Sequence, residues 1–173
     1  MGFGKVLAII GAIVGLASII LSFIMPELFS WYRYEVSGMG SSGGWYLTGI
    51  GTVIDIGNTS PYGISILGVI GGTLVILGSI LCIVATVKES KGMGVLGGAS
   101  MLIAPILLVI DFIVGMSELA GVIQDNLDLF ATRVWYWEDP FFALLYRYNW
   151  GLWIGFFLGI SAGVIGLIGG LAI

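Results

Sequence analysis

An all-α transmembrane bundle of four helices, with a small β-hairpin or sheet in its first outer loop, is the fold class the sequence predicts. Three observations carry it. The 173 residues are 58% hydrophobic and 9% charged, with a mean hydropathy of +1.11, against roughly one-quarter charged residues in soluble domains. The apolar residues fall in four runs, each near the ~20 residues that cross a ~30 Å hydrocarbon core. The first long connection alternates aromatic and β-branched residues around a Gly/Ser-rich centre, as a hairpin does.

The first run, residues 4–25, is too long for a signal peptide and lacks a small-x-small cleavage site. It reads as a retained first span. The others cover 64–87, 94–116 and 150–173, leaving connections at 26–63, 88–93 and 117–149 and a single membrane domain, 1–173. Four spans put both termini on one side. Basic residues near the spans divide evenly, Lys5, Lys88 and Lys91 against Arg33, Arg133 and Arg147. The lysines are concentrated on the short-turn side, whereas the long connections carry Glu27, Glu35, Asp55, Glu118, Asp125, Asp128, Glu138 and Asp139. That asymmetry places the termini in the cytoplasm of a plasma-membrane protein. The sequon at Asn58 agrees, because a glycan is added only to an exported loop.

The first long connection predicts one strand over 31–36, a turn over 38–44 and a second strand over 45–54. In the second, Leu119, Val122, Ile123, Leu127, Phe130 and Val134 recur at helical spacing, so span three continues beyond the membrane. Trp135, Trp137, Trp150 and Trp153 then crowd the approach to span four. They read as an interfacial aromatic belt, with a cation cage or ligand cleft as the alternative. Trp31, Arg33, Trp45, Trp135 and Trp137 are the candidates for outer-loop contacts.

Lipid tails give helices no hydrophobic reason to associate, so small residues mark faces where backbones approach closely. In span one, Gly4, Ala8, Gly11, Gly15, Ser18 and Ser22 alternate spacings of four and three, the period of a left-handed pair. Span two repeats this with Ser65, Gly68, Gly72, Ser79, Cys82 and Thr86, interrupted at Val75. In span four, Gly151, Gly155, Gly159 and Gly163 keep a strict spacing of four, joined by Gly166, Gly169 and Gly170 on the same third of the wheel. Such a stripe serves packing within the bundle or assembly with another subunit.

Asp111 is the one acid inside a span, where an uncompensated charge is costly. It shares a face with Gly97, Ala104, Gly115 and Glu118 and so points into the bundle. Three readings stand: a structural hydrogen bond to Ser18, Ser22 or Ser65, a proton or cation path, or a contact with a partner's basic residue. With no His and one Cys, Cys82, histidine-based metal and acid/base sites and any intrachain disulfide are excluded. No phosphate loop, dinucleotide fingerprint or nucleophile elbow is present in its required context. Neither an enzyme nor a cofactor or metal site is expected, and the acidic outer side argues against nucleic acid.

The order of short tails, a large β-prone first loop, a tight inner turn and a smaller second loop resembles the claudin and peripheral-myelin-protein superfamily of tetraspan proteins. Trp31 just after span one, and Gly44-Trp45 like the end of that family's Gly-Leu-Trp motif, carry the likeness in sequence. The family's paired cysteines are absent here, so packing of Trp31 and Trp45 must stiffen the loop instead. The resemblance implies a non-catalytic protein whose outer loops form a small sheet and touch neighbours in the same or a facing membrane. The sequence therefore sets up a structural or accessory subunit whose partners are lipids and other membrane-protein subunits or itself. Its rival is a small ion or proton transporter or channel component using Asp111.

Overall fold

The computed structural model describes residues 2–38, 41–56, 64–114, 137–139 and 146–173. Five helices lie in this part of the chain: α1 (Phe3–Ile24), α2 (Pro26–Phe29), α3 (Ile66–Lys88), α4 (Lys91–Val114) and α5 (Ile154–Leu171). Four of them, all but α2, are long and apolar enough to cross a membrane. Five strands, β1 (Tyr32–Gly38), β2 (Ser41–Leu47), β3 (Val53–Ile56), β4 (Trp137–Asp139) and β5 (Tyr146–Leu152), form one antiparallel sheet in the order β3-β2-β1-β5-β4.

The long helices form a ring in which α1 touches α3 and α5, and α4 touches the same two. All four contacts are antiparallel. Each buries a stripe of small residues: Gly4, Ala8, Gly11, Gly15, Ser18 and Ser22 on α1, and Gly68, Gly72, Ser79, Cys82 and Thr86 on α3. Val75 belongs to the same stripe of α3 and is fully buried. The outward positions carry large aliphatic and aromatic side chains such as Ile13, Ile20, Leu77, Ile106 and Ile168.

Local chemistry sets the helix ends. Pro26, which lacks an N–H, opens α2 and separates it from α1 at Met25. Ser65 caps α3, its Oγ accepting from the Gly68 N–H at 2.8 Å. At the other end Glu89 takes a left-handed conformation with φ of 54°, turning the chain back within two residues. The predicted turn over 88–93 is therefore mostly helix: α3 continues to Lys88 and α4 begins at Lys91. Lys5 pairs with Glu89 and ties the start of α1 to this turn. Glu89 is held below the ordinary carboxylate range by that hydrogen bond and by the lysine's charge.

The sheet stands at the opposite end of the bundle and differs from the predicted hairpin. The segment predicted as a turn is strand from Ser41 onward, with Glu35 opposite Gly44 and Val36 opposite Gly43. Pairing with β1 overrides the low strand preference of Ser and Gly. The predicted second strand, 45–54, is broken by a turn in which the Gly51 N–H donates to the Thr48 carbonyl and Gly51 sits at φ of +75°. Span four is also shorter than predicted. Residues 146–152 pair with β1, so the helix starts at Ile154, and Gly151 lies in β5 with φ of 141°, outside the helical stripe. The helical pattern over 119–134, together with Trp135 and Asn58, lies outside the described residues.

Candidate functional site at the junction of sheet and bundle

The central strand β1 comes from the first connection, and its two neighbours come from different connections, β2 from the first and β5 from the second. On the face turned to the helices, Tyr34 stands opposite Trp45, and Tyr32 opposite Leu47 and Leu152; in backbone register the β5 partner of Tyr34 is Trp150. The Tyr34 and Trp45 rings stack at 5.0 Å. Tyr32, Tyr34, Leu47 and Leu152 share one core cluster with Ile19, Val75, Ala104, Leu108 and Phe156 from the four long helices. The sheet is thus part of the hydrophobic core.

Two wedges make this junction. Trp31, buried just before β1, lies over α5: a Cβ on Gly159 would stand 3.1 Å from its ring, and one on Gly155 2.7 Å from it. Backbone bonds hold the same region, the Trp153 N–H donating to the Trp31 carbonyl and the Gly155 N–H to the Ser30 carbonyl, both at 3.1 Å. The second wedge is the β2–β3 turn, Thr48 to Gly51, which enters between α1 and α3. Gly49 donates to Ser22 Oγ at 2.9 Å, the Gly51 carbonyl accepts from the Ser65 N–H at 2.9 Å, and a Cβ on Gly72 would stand 2.8 Å from Ile50 Cα. Thr48 and Thr52 close the turn by a hydroxyl contact of 2.8 Å.

Asp111 lies at this level, 1% exposed. Of the three serines considered from sequence, Ser65 is the one that meets it, donating from Oγ to Asp111 Oδ2 while capping α3. Ser18 and Ser22 instead donate to carbonyls of their own helix, those of Gly15 and Ile19. Asp111 Oδ1, Ser30 Oγ and Trp31 Nε1 are buried without a hydrogen-bond partner among the described residues. On the same face of α4 as Asp111, Gly97 and Ala104 are buried, while Gly115 and Glu118 lie outside the described residues. Among the described residues no group of acids and Cys is placed to hold a metal ion.

The opposite face of the sheet is polar. Arg33 lies over the Trp153 ring, 3.4 Å from its centroid, and 3.5 Å from Glu35, whose carboxylate accepts from the Tyr46 hydroxyl at 2.8 Å. Burial, and then the hydrogen bond to Glu35, raise the Tyr46 hydroxyl well above the ordinary tyrosine range. Trp45 and Arg33 thus belong to opposite faces. Trp137 lies in β4, paired with Trp150.

The other candidate glycines, Gly11, Gly15, Gly68 and Gly163, pack inside the bundle. A Cβ on Gly11 would stand 2.6 Å from the Gly166 nitrogen, one on Gly15 2.8 Å from Ser79 Oγ, one on Gly68 2.8 Å from Gly51 Cα, and one on Gly163 2.6 Å from Leu102 Cγ. Residues that sequence reasoning passed over are Thr48, Gly49 and Gly51. Their signal was the run Thr-Gly-Ile-Gly-Thr at 48–52, a turn pattern inside an assumed strand.

No protein-family model matches the chain, and the curated proteins contain no match to it.

Proposed function

We propose that this protein is a non-catalytic structural or accessory membrane subunit that acts through the outward side of its sheet and through contacts with neighbouring membrane proteins. The observation that carries this reading is the five-stranded sheet itself. It combines strands from both long connections and is keyed into the helices by Trp31 and the Thr48–Gly51 turn, which makes two loops one rigid surface. Rigid, preordered surfaces lose less entropy on binding than separate loops. The topology and the Trp31 and Gly44-Trp45 likeness to claudin-type tetraspan proteins point the same way, as does the concentration of Lys5, Lys88 and Lys91 at the end that carries the termini, which favours an extracytoplasmic sheet.

The test is the native mass, with identification of components, of the complex extracted gently from its own membranes. A larger assembly that contains this chain is expected. A lone monomer at every detergent concentration contradicts the reading.

Asp111 Oδ1, which has no partner among the described residues, favours a second reading, an ion or proton path. Against it, the cluster on the far side of the bundle is Ala8, Ala12, Cys82, Met101 and Ala162, which offers an ion no charged group. Under the transport reading Asp111→Asn abolishes flux into proteoliposomes; equal flux, or none, in both forms removes it.

A further inference from the structure

From the depth of the two wedges we infer that the base of the sheet lies inside the apolar layer of the membrane, and that the residues flanking it, Met25 and Leu28 on one side and Ile64 on the other, are covered by lipid chains. This goes beyond the proposed contact role and is independent of it. The depth follows from the register of loop against helix. Gly72, which meets the β2–β3 turn, is six residues beyond Ile66, the first residue of α3. At 1.5 Å per residue the turn reaches about 9 Å down that helix. Trp31 meets both Gly155 and Gly159 of α5, so β1 begins at the level of that helix's opening turns.

The length of α5 agrees. α5 has 18 residues, about 27 Å, somewhat less than a ~30 Å hydrocarbon core. The missing length is supplied at the sheet end by Leu152 and Trp153, through which β5 runs directly into α5. Non-helical backbone is tolerated at membrane depth only when protein satisfies its polar groups. Four bonds satisfy polar groups of the inserted turn: Gly49 N–H to Ser22 Oγ, Gly51 N–H to the Thr48 carbonyl, Thr48 N–H to the Thr52 carbonyl and Ser65 N–H to the Gly51 carbonyl.

What covers the flanks follows from continuity. On the α1 and α5 side, the exposed Phe23, Ile24, Met25 and Leu28, with the exposed Glu27 among them, continue the outward apolar face of α1 past its end, and Ile154 and Phe157 are exposed on α5. Leu28 is 48% exposed and lies in the short helix whose last residue, Phe29, meets Gly155. Across the bundle, Ile64 is 67% exposed before α3 begins. A water-facing boundary at the helix ends would leave these side chains wet, whereas lipid continues the solvent of the faces below them.

The experiment places one spin label at a time, on Leu28→Cys, Ile64→Cys, Ile20→Cys and Ser37→Cys, in the full chain reconstituted in phosphatidylcholine liposomes. Cys82 is buried and does not compete for label in the folded protein. Ile20, exposed within α1, and Ser37, exposed in β1, mark lipid and water. Collision rates with oxygen and with a water-soluble nickel chelate are compared. Labels at positions 28 and 64 are expected to group with position 20, favouring oxygen several-fold relative to position 37. If either groups with position 37, the sheet stands in water above the membrane and the inference is overturned. All four positions are exposed, and each labelled variant is checked for an unchanged elution volume before measurement.

Discussion

At the end of the bundle that carries the termini, α1 and α4 meet α5 backbone to backbone, whereas at the sheet end Trp31 lies over α5 and a turn enters between α1 and α3. The first region buries Gly11 against Gly166, Gly94 against Gly170 and Ala8 against Gly169. The second buries Trp31 over Gly155 and Gly159 and places Gly49 and Gly51 beside Gly72 and Gly68. Glycine does different work in the two. Near the termini it lets helices touch, and near the sheet it makes room for an aromatic ring and a stretch of irregular backbone. The glycine face of α5, from Gly155 to Gly170, therefore serves two kinds of partner.

The largest expected effect breaks the sheet end alone. Trp31→Ala empties the space between β1 and α5 and costs about 3–5 kcal/mol. In hydrogen exchange the sheet loses its protection while amides around Ala12 and Ala162 keep theirs. The reverse variant, Gly11→Leu, drives a side chain into the Gly166 backbone, which cannot rotate away. It costs about 3 kcal/mol and separates α1 from α5 near the termini, read as a lowered unfolding midpoint in detergent. Ile168→Leu on the outward face leaves that midpoint unchanged.

Smaller effects are expected at Ser65, Asp111, Tyr46 and Lys5. Ser65→Ala removes both the cap of α3 and the donor to Asp111, at about 1–3 kcal/mol. Asp111→Asn keeps an acceptor for the same hydroxyl and costs less than Ser65→Ala by thermal unfolding. For Tyr46, the folded state holds the hydroxyl above its unfolded value of about 10. That contribution is complete below pH ~10 and is lost as the pH climbs through the higher folded value. Tyrosinate absorbance should show a late-titrating component that Tyr46→Phe removes. The smallest effect is expected at Lys5→Met. It returns Glu89 to the ordinary carboxylate range, seen by side-chain NMR titration, with no measurable change in unfolding midpoint because the pair is exposed to solvent.

Four apolar runs, and the small-residue stripes of α1 and α3, were legible in the sequence because span length and helical periodicity are local signals. The burial of Gly4 through Ser22 on α1 follows their spacing residue by residue. The sheet was only half legible. A hairpin could be read from alternation around Tyr32–Tyr34, but Gly43 and Gly44 become strand through partners on β1, and residues 146–152 become strand through the same β1, more than 100 positions earlier. No local pattern reports such a pairing. For the junction, the sequence singled out Trp31, Ser65 and Asp111, yet the pairing of Ser65 with Asp111 rather than of Ser18 or Ser22 depends on how α3 stands against α4. Gly151 shows the limit of spacing arguments: four residues before Gly155, it continues a helical stripe on paper and lies in a strand.

Both long connections contribute strands to one sheet anchored in the bundle, and hydrogen exchange of the protein in lipid nanodiscs reads that union amide by amide. The amides of β1, β2 and β5 should be protected together, with Gly49 and Gly51 as slow as the sheet, and all should lose protection together in Trp31→Ala. If β5 exchanges at the rate of an unstructured segment while β1 and β2 stay protected, the two connections act separately and the single outer platform does not exist.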